Sequence, residues 1–240
     1  YTWRMDPIND TTCIPDPAID GLISNYKSKT DEKYGKILTR FDRKLTHPRR
    51  EQETELGNLF ADAMNEMLGT DISLVGSGSI RVEEMGPIIT IQNMMECFPY
   101  DDKVYMLKLS GYDLRRGFAY ICRDEMIKGH TEFYQVSKQV RIVYDYNSKQ
   151  LTEFTVNGKP VNDDDVFTVS MQQYHAYNIA TTMNMEPDRI PPDNSFRCIA
   201  TSAYDVLEEY LRTKPHLNAH IEGRITLKNM PPQYYSGRIE

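Results

Sequence analysis

The stretch Ile72–Arg81 reads ISLVGSGSIR: a β-prone run falls into a Gly-Ser-Gly loop, and an arginine closes it. A guanidinium is planar and donates in pairs to phosphate or carboxylate. A glycine such as Gly78 lets backbone N–H groups come close to an anion. Together Arg81 and Gly78 could do anion-binding chemistry; the plainer alternative is a strand end with small residues for packing. A dinucleotide fingerprint does not fit, because its glycine turn must open a long helix. Here Arg81 is followed by Val-Glu-Glu-Met and then Gly86-Pro87, which leaves no room for one.

Metal chemistry is not written into the histidines. Among His47, His130, His175, His216 and His220, only His216 and His220 have ligand-like i, i+4 spacing. No carboxylate pattern completes a site around them, so they read as surface residues. The cysteines, Cys13, Cys97, Cys122 and Cys198, include no C-x-x-C pair. Cys122 falls on an apolar helical stripe and reads as a buried free thiol, while disulfides in any of three connectivities stay open.

Interleaved helices and strands must position these residues. Asp16-Pro17 starts a helix with Ile19, Leu22, Ile23 and Tyr26 on one face, and the polar run Lys27 to Lys33 reads as a solvated connector. Lys36 to Phe41 is a short strand, followed by the basic loop His47-Pro48-Arg49-Arg50. The clearest helix carries Leu56, Leu59, Phe60, Ala63, Met64, Met67 and Leu68 on one face, with Asp62 and Glu66 opposite and Gly69 as its stop. Thr90 caps a short helix that breaks at Pro99, and Lys103 to Leu109 is strand-like. Ser110 to Asp113 opens a helix with Leu114, Phe118, Ile121 and Cys122 inward. A hairpin turns through Tyr146 to Lys149, and Asn157-Gly158 marks another tight turn. Val166 to Met171 is a β-rich run, Ser202 caps a helix ended by Pro215, and Gly223 to Leu227 is the last strand. Hairpins beside interleaved helices, with no internal repeat, predict an α+β (mixed α/β) domain.

Composition narrows the function classes. Of 240 residues 40% are hydrophobic and 26% charged, which is globular, and no apolar run approaches the length of a membrane span. A net charge of −7 argues against a protein that coats polymeric nucleic acid. It leaves room for one nucleotide in a pocket with one or two arginines. The chain starts at Tyr1 without Met or a signal peptide, as expected of a processed or excised piece of a longer protein.

An ordered set of motifs adds to this. E-T-x-L-G-N-L-x-A-D-A spans Glu53 to Ala63, the strand and loop span Asp71 to Arg81, and I-T-I-Q-N spans Ile89 to Asn93. F-P-Y-D-D follows at Phe98 to Asp102, then Leu107 to Arg116, Asp205 to Tyr210 and Glu222 to Ile225. This order resembles the C-terminal, substrate-recognition domain of the 5′-nucleotidase family over roughly residues 15 to 228. The resemblance implies that Arg81 contacts a nucleotide, with Gly78 in the loop beside it. The family's asparagine in that loop is replaced here by Gly76, so that contact does not carry over. It implies a second arginine before the E-T-x-L-G-N motif, at Arg50 with Arg49 as the less favoured alternative, and a base clamp of two aromatic rings, Tyr100 and Tyr174. The Q-Q-Y-H-A around Tyr174 looks closer to the 2′,3′-cyclic-nucleotide phosphodiesterase/3′-nucleotidase branch than to the family's usual N-F-L-A-x-G-G-D-G, whose glycines and aspartate are absent.

From that resemblance, residues 1–34 are expected to form an inter-domain helix and connector and residues 35–240 the recognition domain. The catalytic metallophosphatase domain and its two divalent metal ions would lie in an N-terminal domain outside this chain, since its D-x-H, G-N-H-[DE] and G-H-x-H signatures do not occur here. This chain is then expected to hold no cofactor and no catalytic residue of its own. A nucleotide or nucleoside and the metallophosphatase domain of the same parent chain are the expected partners, in an extracellular, periplasmic or cell-surface protein of nucleotide catabolism. The alternative is a stand-alone, non-catalytic nucleotide-binding or interaction domain.

Overall fold

Residues 1–9, 11–128, 131–186, 189 and 196–231 are described by a computed structural model. The strongest periodic segment forms the helix Glu55–Leu68, its Thr54 side chain accepting from the Gly57 N–H and Gly69 ending it at φ 66°. Leu56, Leu59, Phe60, Ala63 and Met64 are buried on the predicted face. The opposite face is not simply solvated. Asp62 grips the guanidinium of Arg224 with both carboxylate oxygens, each at 2.7 Å.

The first helix departs from the sequence reading. Asp16 caps it as expected, but it runs Pro17–Tyr34, straight through the polar segment read as a connector. Lys, Glu and Asp are compatible with helix, and nothing interrupts the ladder before Gly35. Its apolar face also fails to pack on the described residues: Ile19, Leu22, Ile23 and Tyr26 are all exposed.

A five-stranded mixed sheet positions the rest, in the order Arg197–Ala200, Val104–Ser110, Val166–Gln172, Ile72–Gly76, Tyr134–Val136. Val166–Gln172 runs parallel to Ile72–Gly76 and antiparallel to Val104–Ser110. Tyr134–Val136 runs antiparallel to Ile72–Gly76, with Gly76 opposite Tyr134. One end of the sheet therefore collects the C-termini of two strands and the N-termini of their two neighbours. The loops leaving and entering at that end must meet.

A second sheet contains the predicted hairpin, Val140–Asp145 with Gln150–Val156, and the last strand, Ile225–Lys228, joins it parallel to Val140–Asp145. Between the two sheets lies a core with Leu114, Phe118, Ile121 and Cys122 of the helix Gly111–Ile121 and its C-terminus, facing Phe154 and Val169. A second core joins Leu56, Phe60 and Met64 to Met94 and Phe98 and to Leu207 and Leu211 of the helix Ala203–Thr213. Each large apolar side chain buried this way contributes about 1.5–3 kcal/mol. All four cysteines are free; Cys97 and Cys122 are fully buried and burial pushes both thiols up to about 12. No helix of the described residues is long and apolar enough to cross a membrane.

Candidate functional site

At the shared end of the five-stranded sheet is a cleft of about 400 Å³ lined by Arg50, Gly78, Ser79, Arg81, Tyr100, Asp102, Glu132, Gln172, Tyr174 and His175. The five positions singled out in the sequence, Arg50, Gly78, Arg81, Tyr100 and Tyr174, come together here although they span more than half of the chain.

The tyrosines meet because of strand register. Gln172, at the end of one strand, pairs with Val104, at the start of its neighbour. The Gln173 N–H then donates to the Lys103 carbonyl at 2.8 Å, so the segment bearing Tyr174 starts beside the segment bearing Tyr100. The Tyr100 side is pinned in turn, by the Ala203 N–H on the Asp102 carbonyl at 2.7 Å and by the Ser202 hydroxyl on Asp101. Tyr174 lies on a short helix, Gln173–Tyr177. Tyr100 is 45% and Tyr174 54% exposed, so neither is a core ring.

The glycine loop folds into a single 3₁₀ turn, Ser77–Ser79. The Ser79 hydroxyl donates to Gln172 at 2.9 Å and the Arg81 N–H to the Cys97 carbonyl at 2.8 Å, fixing both ends of the loop. The Arg81 side chain is exposed, its nearest hydrogen-bonding contact the Gly78 carbonyl at 3.5 Å. Arg50 is packed against Gly78: a Cβ built there would lie 2.3 Å from its Nη2, so glycine is required for the guanidinium to sit where it does.

Two buried residues hold the Arg50 loop to the glycine loop. Gln135 accepts from the Thr54 N–H at 3.1 Å and donates to the Gln52 carbonyl at 2.8 Å and the Ser77 hydroxyl at 2.9 Å. His47 places Nε2 at 3.1 Å from the Ser77 carbonyl and Nδ1 at 2.8 Å from the Thr54 hydroxyl. A carbonyl only accepts, so Nε2 carries the proton and Nδ1 accepts from the hydroxyl. Burial pushes His47 down to about 4, with the positive charge of Arg50 adding to it, and the ring is neutral.

Besides Ser79 and Gln172, three titratable lining residues carry no role in the sequence reading. Glu132 enters just before the strand Tyr134–Val136, and its carboxylate stands 3.7 Å from Arg50 Nη2. Burial raises its pKa and Arg50 opposes that rise. His175, next to Tyr174, is buried, with Nδ1 3.3 Å from the Tyr134 hydroxyl. Its ring fills the space a side chain at position 76 would need, since a Cβ on Gly76 would lie 2.0 Å from Nε2. Burial pushes His175 down to about 4, again with Arg50 adding. Asp102 falls within the F-P-Y-D-D motif, which by itself assigns it no role. Only the pairing of Gly76 with Tyr134 puts Glu132 beside Arg50, and no local pattern carries that information.

Chemically, the cleft offers two guanidiniums, two carboxylates, two exposed aromatic rings and a neutral imidazole. It can hold a planar group and an anion. Its Asp102, Glu132 and His175 do not make a metal centre; among the described residues no group of three or more His, Cys, Asp or Glu side chains could hold a metal ion. His216 and His220 are exposed, and His130 lies outside the described residues.

A family model described as 5′-nucleotidase, C-terminal domain, matches residues 30–185. Among solved structures, the chain is similar to a 5′-nucleotidase precursor from Thermus thermophilus, at 20% identity and a TM-score of 0.71, covering 89% of this chain and 43% of that one. It is also similar to the NAD nucleotidase of Haemophilus influenzae (15% identity, TM-score 0.64, 89% and 41% covered). A sulfate thiohydrolase of Thermus thermophilus gives 14% identity and a TM-score of 0.65, with 89% and 39% covered. The chain thus spans about two fifths of the length of these neighbours. No curated protein matches.

Proposed function

Because the chain belongs to the 5′-nucleotidase C-terminal domain family, we propose that its cleft recognises a nucleotide or nucleoside on behalf of a phosphohydrolase domain elsewhere in the parent protein. The observation that carries this is the convergence of Arg50, Gly78, Arg81, Tyr100 and Tyr174 on one cleft. The fold by itself does not choose the substrate, since one neighbour is named a sulfate thiohydrolase. The residues do. Two exposed rings on one rim suit a base, because stacking contributes about 1–3 kcal/mol per base and accepts any π-face. Arg81, at the rim, suits the phosphate.

In this reading residues 35–240 are the recognition domain and the Pro17–Tyr34 helix leads from the catalytic domain, where the two divalent metal ions and the hydrolytic step belong. The chain's own residues bind and orient; none of those in the cleft is set up as a nucleophile. The Q-Q-Y-H-A segment supports the 2′,3′-cyclic phosphodiesterase/3′-nucleotidase branch, and the family supports an extracellular, periplasmic or cell-surface setting and a role in nucleotide catabolism.

The test is a calorimetric titration of the chain with adenosine 5′-monophosphate, beside a phosphate-release assay with Mn²⁺, Zn²⁺ or Mg²⁺. Binding is expected, with no release above buffer. Tyr174→Ala and Tyr100→Ala are each expected to weaken binding, and Tyr→Phe at either position to leave it nearly unchanged. Failure of the folded chain to bind any nucleotide at millimolar concentration would overturn the proposal, and chelator-sensitive phosphate release would overturn the division of labour.

A further inference from the structure

Within the cleft, Arg50 and Glu132 form an incomplete pair. Their charges attract, but 3.7 Å between Nη2 and Oε2 is too long for a hydrogen bond. Arg50 Nε and Glu132 Oε2 are both buried, and neither has a hydrogen-bond partner among the described residues. A buried polar atom without a partner has lost its hydration uncompensated, and such an atom calls for an explanation such as a ligand. The guanidinium lies against Gly78, where a side chain at position 78 would displace it. Both residues line the same cleft as the tyrosines.

We infer that Arg50 and Glu132 together read a sugar hydroxyl, and that Glu132 makes the site select ribonucleosides over deoxynucleosides. This deepens the proposed function and rests on it. A hydroxyl accepts from a guanidinium and donates to a carboxylate at once, and a vicinal diol does so with two oxygens. A phosphate only accepts, so Glu132 repels it and leaves it to Arg81, whose guanidinium makes no ion pair among the described residues. Position in the sheet agrees with this. Tyr174 follows the strand ending at Gln172, and Glu132 precedes the strand beginning at Tyr134, with Ile72–Gly76 between them. Two strand spacings are about 10 Å, a span that a nucleoside can bridge from its base to the far edge of its sugar. Burial of the carboxylate adds to the preference, since a hydroxyl donor offsets the lost hydration.

The experiment measures binding of adenosine, 2′-deoxyadenosine, 3′-deoxyadenosine and 2′,3′-dideoxyadenosine to the full chain and to Glu132→Gln, with thermal unfolding as a check on folding. The wild-type chain is expected to bind adenosine about tenfold or more tighter than the dideoxynucleoside, the effect of one charge-assisted bond. Glu132→Gln is expected to cut that ratio to about twofold or less. Equal wild-type binding of adenosine and the dideoxynucleoside overturns this inference and leaves the base cleft standing, whether or not the variant folds. An undiminished ratio in folded Glu132→Gln removes Glu132 from the role. Binding of none of the four overturns this inference, and the proposed function falls with it only if adenosine 5′-monophosphate is not bound either.

Discussion

Arg224 lies at the seam where the last strand meets the Glu55–Leu68 helix. Its guanidinium donates to both oxygens of Asp62, to Glu222 at 3.1 Å and to the Val136 carbonyl at 2.9 Å, with 1% of the side chain exposed. Arg50, in the cleft, has among the described residues one carboxylate at 3.7 Å and a buried Nε with no partner. The same side chain serves as scaffold where its donors are filled by the protein and as candidate ligand contact where they are left open. Hydrogen-bond satisfaction separates the two more sharply than burial, since both arginines are at least half removed from solvent.

The largest expected effect tests the scaffold side. Arg224→Met leaves Asp62 without its guanidinium partner, and losing one member of such a pair costs on the order of 3 kcal/mol, at the low end because the Asp62 side chain is still 22% exposed. Denaturant midpoints measure it. Arg81→Ala should shift the same midpoint by less than about 0.5 kcal/mol. If Arg81→Ala destabilises as much as Arg224→Met, the contrast is broken and Arg81 is structural.

Acid sharpens the comparison next. His47 and His175 have folded pKa values of about 4, below the ordinary 6.5. The unfolded chain therefore binds more protons between these values, and stability falls as pH drops through that window, by up to about 3 kcal/mol per histidine. Both flank the cleft, whereas Arg224 stays charged throughout. Unfolding measured at pH 7, 6 and 5 should show the loss, and His175→Asn should remove its share of the slope. A slope that the variant leaves unchanged would assign the acid sensitivity elsewhere.

The smaller effects lie in binding. Arg81→Ala is expected to weaken nucleotide affinity by about 1.5–3 kcal/mol, the range for a charge-assisted bond. Tyr100→Ala or Tyr174→Ala should each cost about 1–3 kcal/mol. Titration of the folded variants measures both, and unchanged affinity would return these residues to the ordinary surface.

Much of the fold was legible because its signals are local. The 3.6-residue spacing from Leu56 to Leu68, the Thr54 and Ser110 caps and the Gly69 stop are all read within a turn or two of chain. The first helix misled for the same reason: amphipathic spacing at Ile19, Leu22, Ile23 and Tyr26 describes a face, and says nothing of whether a partner covers it.

The cleft divides in the same way. By itself the sequence determined residue types and motif order, hence the candidates Arg50, Gly78, Arg81, Tyr100 and Tyr174 and the family they resemble. Tertiary structure alone decided that they share a wall, that Glu132 stands against Arg50, and that His175 fills the space above Gly76. Those facts depend on strand order and register, through Gln172 beside Val104 and Gly76 beside Tyr134. Pairing between strands so far apart in the chain is set by the packing of the whole sheet, and no short window of sequence contains it.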